Sequence, residues 1–361
     1  MKNDQITKIL IFRTDRIGDL VNTSPFLKSL KNYYTKSEIH LVCSEYNSSV
    51  ALNYDFVDKV SIYDINSNLL TKIKFFLKTI NSKYTICVPI DGKKISKLVT
   101  LFIKARQKYI ISFKKERKIF GIKINIFRPS LIFCKIFFDT HIICDENYNK
   151  KNVNLEFNNH YLSMYYYLFK KNNIKLISEK HVFNIDKNSS HTFKKFFMNH
   201  VNNIFINIHI DYKWDKHQID FNKFILFLEK ISLIKKVTIS SGKEGSLFFD
   251  KLKNKFNSYS FDNLNSSKSI STNRSILLIE NLSINLLACF LKESSLNISS
   301  HSGATVQISA AFNVPIIDFI KKNQKNEYDR WVPPSVEYSQ IFIDKLDELE
   351  ASINKKNYIK S

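Results

Sequence analysis

The sequence predicts an α/β protein of two domains, each a doubly wound parallel sheet. Three observations carry this. Short, continuous apolar runs such as Ile9–Phe12 and residues 204–210 (IFINIHI) read as strands buried on both faces. Between such runs lie segments of helical periodicity, so strand and helix alternate as repeated βα units. The chain has 361 residues, 44% of them hydrophobic, which exceeds one comfortable core and supplies two.

The first unit is the clearest. After Ile9–Phe12 comes a polar turn, Arg13 to Asp19, and apolar Leu20, Val21, Phe26, Leu27 and Leu30 then recur at helical spacing. Strand, loop and helix in this order place the loop at the carboxyl end of the strand, where open α/β sheets bind ligands. Gly18 is one of only six glycines and is expected to supply a positive φ or a close backbone approach. Asp19 follows it. Two roles are open for it, a general base or a helix N-cap, and on this stretch alone the cap is the commoner use.

Strand-like segments continue at 38–43, 59–63, 84–90 and 108–113. Helical segments are expected at 46–53, 67–81 and Lys93 to Ala105. Residues 113–138 interleave basic and aromatic side chains. They read equally as a surface for an anionic or membrane-like partner and as an insertion packed on the first domain. A helix over 155–171, rich in Tyr and Phe, is expected to face the core. The pattern weakens between 174 and 203, which sets the domains at 1–185 and 186–361. The second half restarts at 204–210, passes through Asp211-Tyr212-Lys213-Trp214 to a helix at Phe221–Leu233, then a strand at 236–242 ending at Gly242. There Lys243-Glu244 are expected to open the next helix. Residues 280–320 read as helix, strand, loop, helix, strand. A final helix over 338–356 is a candidate to pack back on the first domain.

Net charge is +22, which points to an anionic partner, although a chain-wide enrichment in Lys and Asn produces the same number without any patch. No helix-turn-helix, P-loop or RNA-binding motif accompanies it, so nucleic acid is not expected as a partner. Five scattered cysteines in apolar runs read as core residues of a reducing compartment. The amino terminus lacks the apolar region of a signal peptide, and no stretch reaches about 18 uncharged apolar residues. A cytoplasmic protein is expected, with peripheral contact at the inner face of a membrane as an open option.

The segments KILIFRTDRIGDLVNTSPFLKSL, EIHLVC, VDKVSIYD, NIHIDYKWD, VTISSGKE and SSHSGATVQISAAFNVP together resemble glycosyltransferase family 9, the lipopolysaccharide heptosyltransferases. The likeness runs from about residue 8 to 320. It implies a GT-B fold, two Rossmann-like domains facing a cleft, with acceptor on the first and nucleotide sugar on the second. It also implies inverting transfer, commonly from ADP-heptose, to the lipopolysaccharide core or a related surface glycan, an anionic glycolipid. The nucleotide sugar is a substrate, and no cofactor is expected.

By the same resemblance Asp19 becomes the base that takes the acceptor proton. Arg13 and Arg16, with Gly18, would bind the acceptor; a salt bridge to Asp15 or Asp19 is an equal use of the arginines. On the donor side, Lys213 and the helix after Gly303 would hold the departing diphosphate, with Ser302, Ala304 and Thr305 beside it. Gly242 and Glu244 would meet the ribose. His301 stands where the family has an acid, and Gln307 where it has a histidine. These departures leave a nucleotide sugar as donor but point away from ADP-heptose specifically. No Asp-x-Asp occurs in the sequence, and no metal is expected. The rival reading is a GT-B-fold protein that binds nucleotide or glycan without turnover.

Overall fold

The computed structural model describes residues 6–114, 116–119, 122–125, 129–145, 162–177, 179–200, 205–256, 258–260 and 276–355. The chain divides into two compact units, Met1–Lys180 and His181–Ser361, so the division falls five residues before the expected 185.

In the first unit the order is β1 (Thr7–Arg13), α1 (Ile17–Tyr33), β2 (Ser37–Ser44), α2 (Glu45–Ala51), β3 (Lys59–Tyr63), α3 (Leu69–Ile80), β4 (Lys83–Pro89), α4 (Lys94–Phe102) and β5 (Lys104–Lys114). A hairpin of β6 (Glu116–Ile119) and β7 (Ile122–Asn125) follows, then α5 (Pro129–Phe137), β8 (Thr140–Asp145) and α6 (Ser163–Lys170). Six strands form one parallel sheet in the order β3-β2-β1-β4-β5-β8. The strand order reverses between β1 and β4, and the crevice at that switch point is where such sheets take ligands. Leu10, Phe12, Val42, Tyr84 and Cys87 of the strands pack against Val99 and Ile103 on one face. On α1, Phe26 is enclosed by Tyr165, Tyr166 and Phe169 of α6, with ring centroids at 5.4, 6.1 and 5.2 Å. The described part of the Tyr-rich helix therefore faces the core as expected; residues 155–161 lie outside the described residues.

The second unit runs α7 (Lys187–His200), β9 (Phe205–His209), a 3-10 turn (Trp214–Lys216), α8 (Phe221–Ser232), β10 (Lys236–Gly242), α9 (Leu247–Lys253), β11 (Ser258–Ser260) and β12 (Ile276–Leu282). It continues with α10 (Ile284–Glu293), β13 (Ser294–Ser299), α11 (Gly303–Ala311), β14 (Ile316–Ile320), α12 (Lys325–Tyr328), β15 (Tyr338–Phe342) and α13 (Leu346–Lys355). Seven parallel strands take the order β11-β12-β10-β9-β13-β14-β15, and the switch point lies between β9 and β13.

Three expectations need correction. Residues 338–342 are not helical: they form β15, pairing Tyr338 with Ile316, and the helix begins at Leu346. Its Leu349 and Ile353 are buried in the core of the second unit. The weak stretch between 174 and 203 contains α7, whose Phe193 and Phe196 bury against Phe290 of α10. Lys243 and Glu244 do not open a helix. They occupy a turn that Gly245 completes at φ +66°, and Ser246 caps α9 by accepting from the Phe248 and Phe249 N–H groups.

Candidate functional site

At the carboxyl end of β1 the chain turns directly into α1. Ile17, Gly18 and Asp19 are its first three residues, and Arg16 holds the N-cap position without a side-chain cap. Asp19 is thus not the cap. It is an acid in the first turn, where the positive end of the helix favours it. Gly18 is helical and buried and does not take a positive φ; among the described glycines only Gly92 and Gly245 do.

Arg13 organises this corner. Its side chain is 1% exposed, and its Nε and Nη2 donate to the Asp19 carbonyl at 3.1 and 3.0 Å while Nη1 donates to the Ile90 carbonyl at 3.3 Å. It also pairs with Asp15 Oδ2 at 3.2 Å and Asp19 Oδ1 at 3.6 Å. The expected acceptor-binding role for Arg13 is therefore replaced by a positioning one: the guanidinium is enclosed and fixes both carboxylates. Arg16, by contrast, is exposed beside them. The loop after β4 locks the floor. Asp91 accepts from the Thr14 N–H (3.3 Å) and hydroxyl (2.7 Å), the Lys93 N–H (3.1 Å) and the Ser96 hydroxyl (2.7 Å).

Asp15 is the unusual group. Burial pushes its pKa up to about 6 from the ordinary 3.8, with Arg13 opposing the rise and Asp19 and Asp91 adding to it, and its Oδ1 is buried without a hydrogen-bond partner. Between pH 4 and 6 the folded protein keeps a proton that the unfolded chain has released. The contribution of Asp15 to stability is therefore largest at low pH and is lost as pH rises through 6. Asp15→Asn should remove that slope, a difference from wild type on the order of 2 kcal/mol between pH 4 and 7 in urea unfolding. Parallel pH profiles for the two proteins would refute the assignment.

In the second unit Lys213 follows β9 and His301 follows β13, on the two sides of the switch point. Trp214 places the lysine: its ring is buried among Phe224, Phe248 and Phe319, and its indole N–H donates to the His209 carbonyl at 3.0 Å. Asp211 accepts from the Lys213 N–H at 3.0 Å; burial raises its pKa to about 6 against the pull of Lys213. Asp215 adds a second acceptor at the start of α9, taking the Ser246 hydroxyl at 2.7 Å and the Phe248 N–H at 2.8 Å, which ties the Lys-Trp-Asp turn to the segment bearing Gly242 and Glu244. Gly242 ends β10, and Glu244 is exposed in the turn.

Lys213 Nζ donates to the His301 carbonyl and lies 5.8 Å from the centroid of the Tyr328 ring. His301 is left-handed at φ +44° and stacks on Tyr328, centroids 3.7 Å apart and planes 12° apart. Its anchor is Asp318 of β14, which is fully buried. Asp318 accepts from the His301 N–H (2.9 Å), the Ser299 hydroxyl (3.2 Å), the Tyr338 hydroxyl (2.6 Å) and His301 Nδ1. Four donors on one carboxylate fix Nδ1 as the protonated nitrogen, so Nε2 is the ring atom left for a ligand. His217 bonds to Ser300 through Nε2, and burial together with Lys321 and Lys213 lowers its pKa to about 4.

Helix α11 starts at Gly303 behind Ser302, which makes no side-chain cap. The N–H groups of Gly303, Ala304 and Thr305 have no acceptor within the helix, and Gly303 is exposed with nothing within 4 Å of where a Cβ would lie. Uncapped N–H groups at a helix start favour a negative charge, and this start lies two residues beyond the His301 carbonyl that Lys213 reaches. Two expected donor contacts turn inward instead. Thr305 is fully buried and its hydroxyl donates to the Ser302 carbonyl at 3.0 Å. Gln307 is 2% exposed and its amide donates to the Trp331 carbonyl at 2.8 Å. Sequence reasoning missed Asp318, Tyr328, Tyr338 and His217. Asp318 left one signal, a lone acid in the apolar run Ile316–Ile320.

No sequence-family profile and no curated protein sequence matches the chain. Solved structures do. A glycosyl transferase family 9 protein from Veillonella parvula is 14% identical, covers 98% of this chain and 90% of its own, and superposes with a TM-score of 0.69. ADP-heptose lps heptosyltransferase II of E. coli is 10% identical over 97% of this chain and 98% of its own, TM-score 0.66. The E. coli heptosyltransferase WaaC with ADP is 13% identical over the same shares, TM-score 0.64. The fold is GT-B. Each Rossmann-like unit of this GT-B chain thus carries its polar cluster at its own switch point, Asp19 in the first and Lys213 with α11 in the second.

Proposed function

We propose that the protein is an inverting glycosyltransferase that moves a sugar, heptose or a relative of it, from a nucleotide-sugar donor to a lipopolysaccharide core or similar anionic glycolipid. One observation carries the reading: Lys213 reaches the loop that opens α11, so a cation and three helix-terminal N–H groups converge where a diphosphate would leave. In this mechanism Asp19 accepts the proton of the acceptor hydroxyl as its oxygen bonds to the anomeric carbon. The carbon–oxygen bond to the diphosphate breaks on the opposite face, and the electron pair leaves with the nucleotide. Lys213 and the α11 terminus stabilise that charge, and His301 Nε2 bonds to a phosphate oxygen or sugar hydroxyl. Arg16 meets the acceptor's anionic group. No step requires a metal ion.

Calorimetric titration with ADP, UDP, GDP and CMP tests the reading. Selective micromolar binding of one nucleotide is expected, weakened about 10- to 100-fold by Lys213→Ala. If none binds, or all bind equally weakly and binding vanishes in salt, the reading fails. Selective binding without sugar transfer to any glycolipid acceptor would leave the rival, a binding protein.

A further inference from the structure

Helices α3, α4 and α5 follow β3, β4 and β5 and cross in the same sense along the sheet, so right-handed crossovers set them in one layer on one face. Their inner sides do what such helices should: Val99, Ile103, Cys134 and Phe138 are buried against the strands. Their outer sides do not. Leu69, Leu70, Ile73 and Leu77 on α3 are 71, 70, 44 and 52% exposed. Ile95, Leu98 and Phe102 on α4 are 37, 49 and 62% exposed, and Ile132, Phe133, Ile136 and Phe137 on α5 are 48, 42, 68 and 50% exposed. These three helices hold eleven of the 24 large apolar side chains exposed among the described residues. A surface helix ordinarily turns charge outward, and clustered apolar exposure marks an interaction face.

The charges on the same helices identify the partner. Lys72, Lys74, Lys78, Lys94, Lys97 and Lys135 lie on them, and not one Asp or Glu does. A second copy of the chain would set lysines against lysines, and a nucleic acid would leave the aliphatic side chains in water. We infer that this layer docks on an anionic lipid bilayer, with the leucine, isoleucine and phenylalanine side chains entering the interface and the lysines meeting the headgroups. The inference does not depend on the transferase reading, since adsorption to a bilayer involves no turnover.

Vesicle co-sedimentation of the full chain tests it. Binding to phosphatidylcholine vesicles containing about one-third phosphatidylglycerol is expected, with little to pure phosphatidylcholine and with loss in high salt. Leu70→Gln/Leu98→Gln/Phe102→Gln and, separately, Lys74→Glu/Lys78→Glu/Lys94→Glu should each lower partitioning about 10-fold or more. All six positions are at the surface, and circular dichroism confirms that each variant folds. Absence of binding to anionic vesicles, or equal binding by wild type and both variants, overturns the inference. So does a dimer in sedimentation velocity that the apolar variant dissociates while vesicle binding is unchanged.

Discussion

Asp19→Asn should lower kcat for sugar transfer about 10²- to 10⁴-fold, the usual span for removing a positioned general base, while leaving nucleotide affinity at its wild-type value. The separation of effects follows from where the residues sit. Asp19 belongs to the first unit, and its backbone is held independently of its carboxylate: Arg13 grips the carbonyl twice and the Thr23 hydroxyl donates to it at 2.8 Å. Asparagine therefore inherits the position and loses the proton acceptor together with the charge pairing to Arg13. If Asp19 merely complements the helix dipole, the substitution costs about 0.3–1 kcal/mol of stability and kcat does not change. Single-turnover kinetics beside a nucleotide titration distinguishes the two.

Asp318→Ala should be the most damaging single change to the second unit. The carboxylate is fully buried with four donors aimed at it, and its removal leaves them unsatisfied in the core. A cost of about 3–5 kcal/mol is expected, or a fall in Tm on the order of 10 °C for a unit of this size. The local consequence is sharper. His301 owes its left-handed backbone to that anchor, and its carbonyl is what Lys213 reaches, so nucleotide affinity should fall at least about tenfold along with Tm. His301→Gln keeps Asp318 and separates the two effects: affinity changes, Tm little. A variant of Asp318 that melts within a degree or two of wild type and titrates normally would remove the residue from this role.

How far these sites could be read beforehand depended on what each feature leaves in the local chain. β1 and β10 were legible because a strand buried on both faces is a continuous apolar run, and the 236–242 boundary agrees with the structure residue for residue. The loop positions of Lys213 and His301 followed from strand–loop–helix order, whereas Asp19, expected in the turn, lies in the first turn of α1. The direction of a side chain did not: Thr305 and Gln307 lie in the right helix, but its period does not tell which residues face the core. Helix α7 was hidden because lysine, asparagine and histidine outnumber the two phenylalanines that hold it. β15 reads as helix in the sequence because residues 338–349 fit either period, and only its pairing with β14 decides. Arg13 shows the same limit. Its two uses were equally consistent with the sequence, and only enclosure by Asp15, Asp19 and Ile90 separates them.

Tyr338 and the Trp331 carbonyl close around His301 and α11 from a segment translated late. The corner around Arg13 is complete much earlier, once the Tyr165 hydroxyl has reached the Ile90 carbonyl. About 170 residues separate these two closing contacts, which at ribosomal speed is on the order of ten to thirty seconds. During translation the Asp19 side can therefore ripen on a nascent chain whose Lys213 side does not yet exist, and the second cluster is complete only when the last strand joins the sheet.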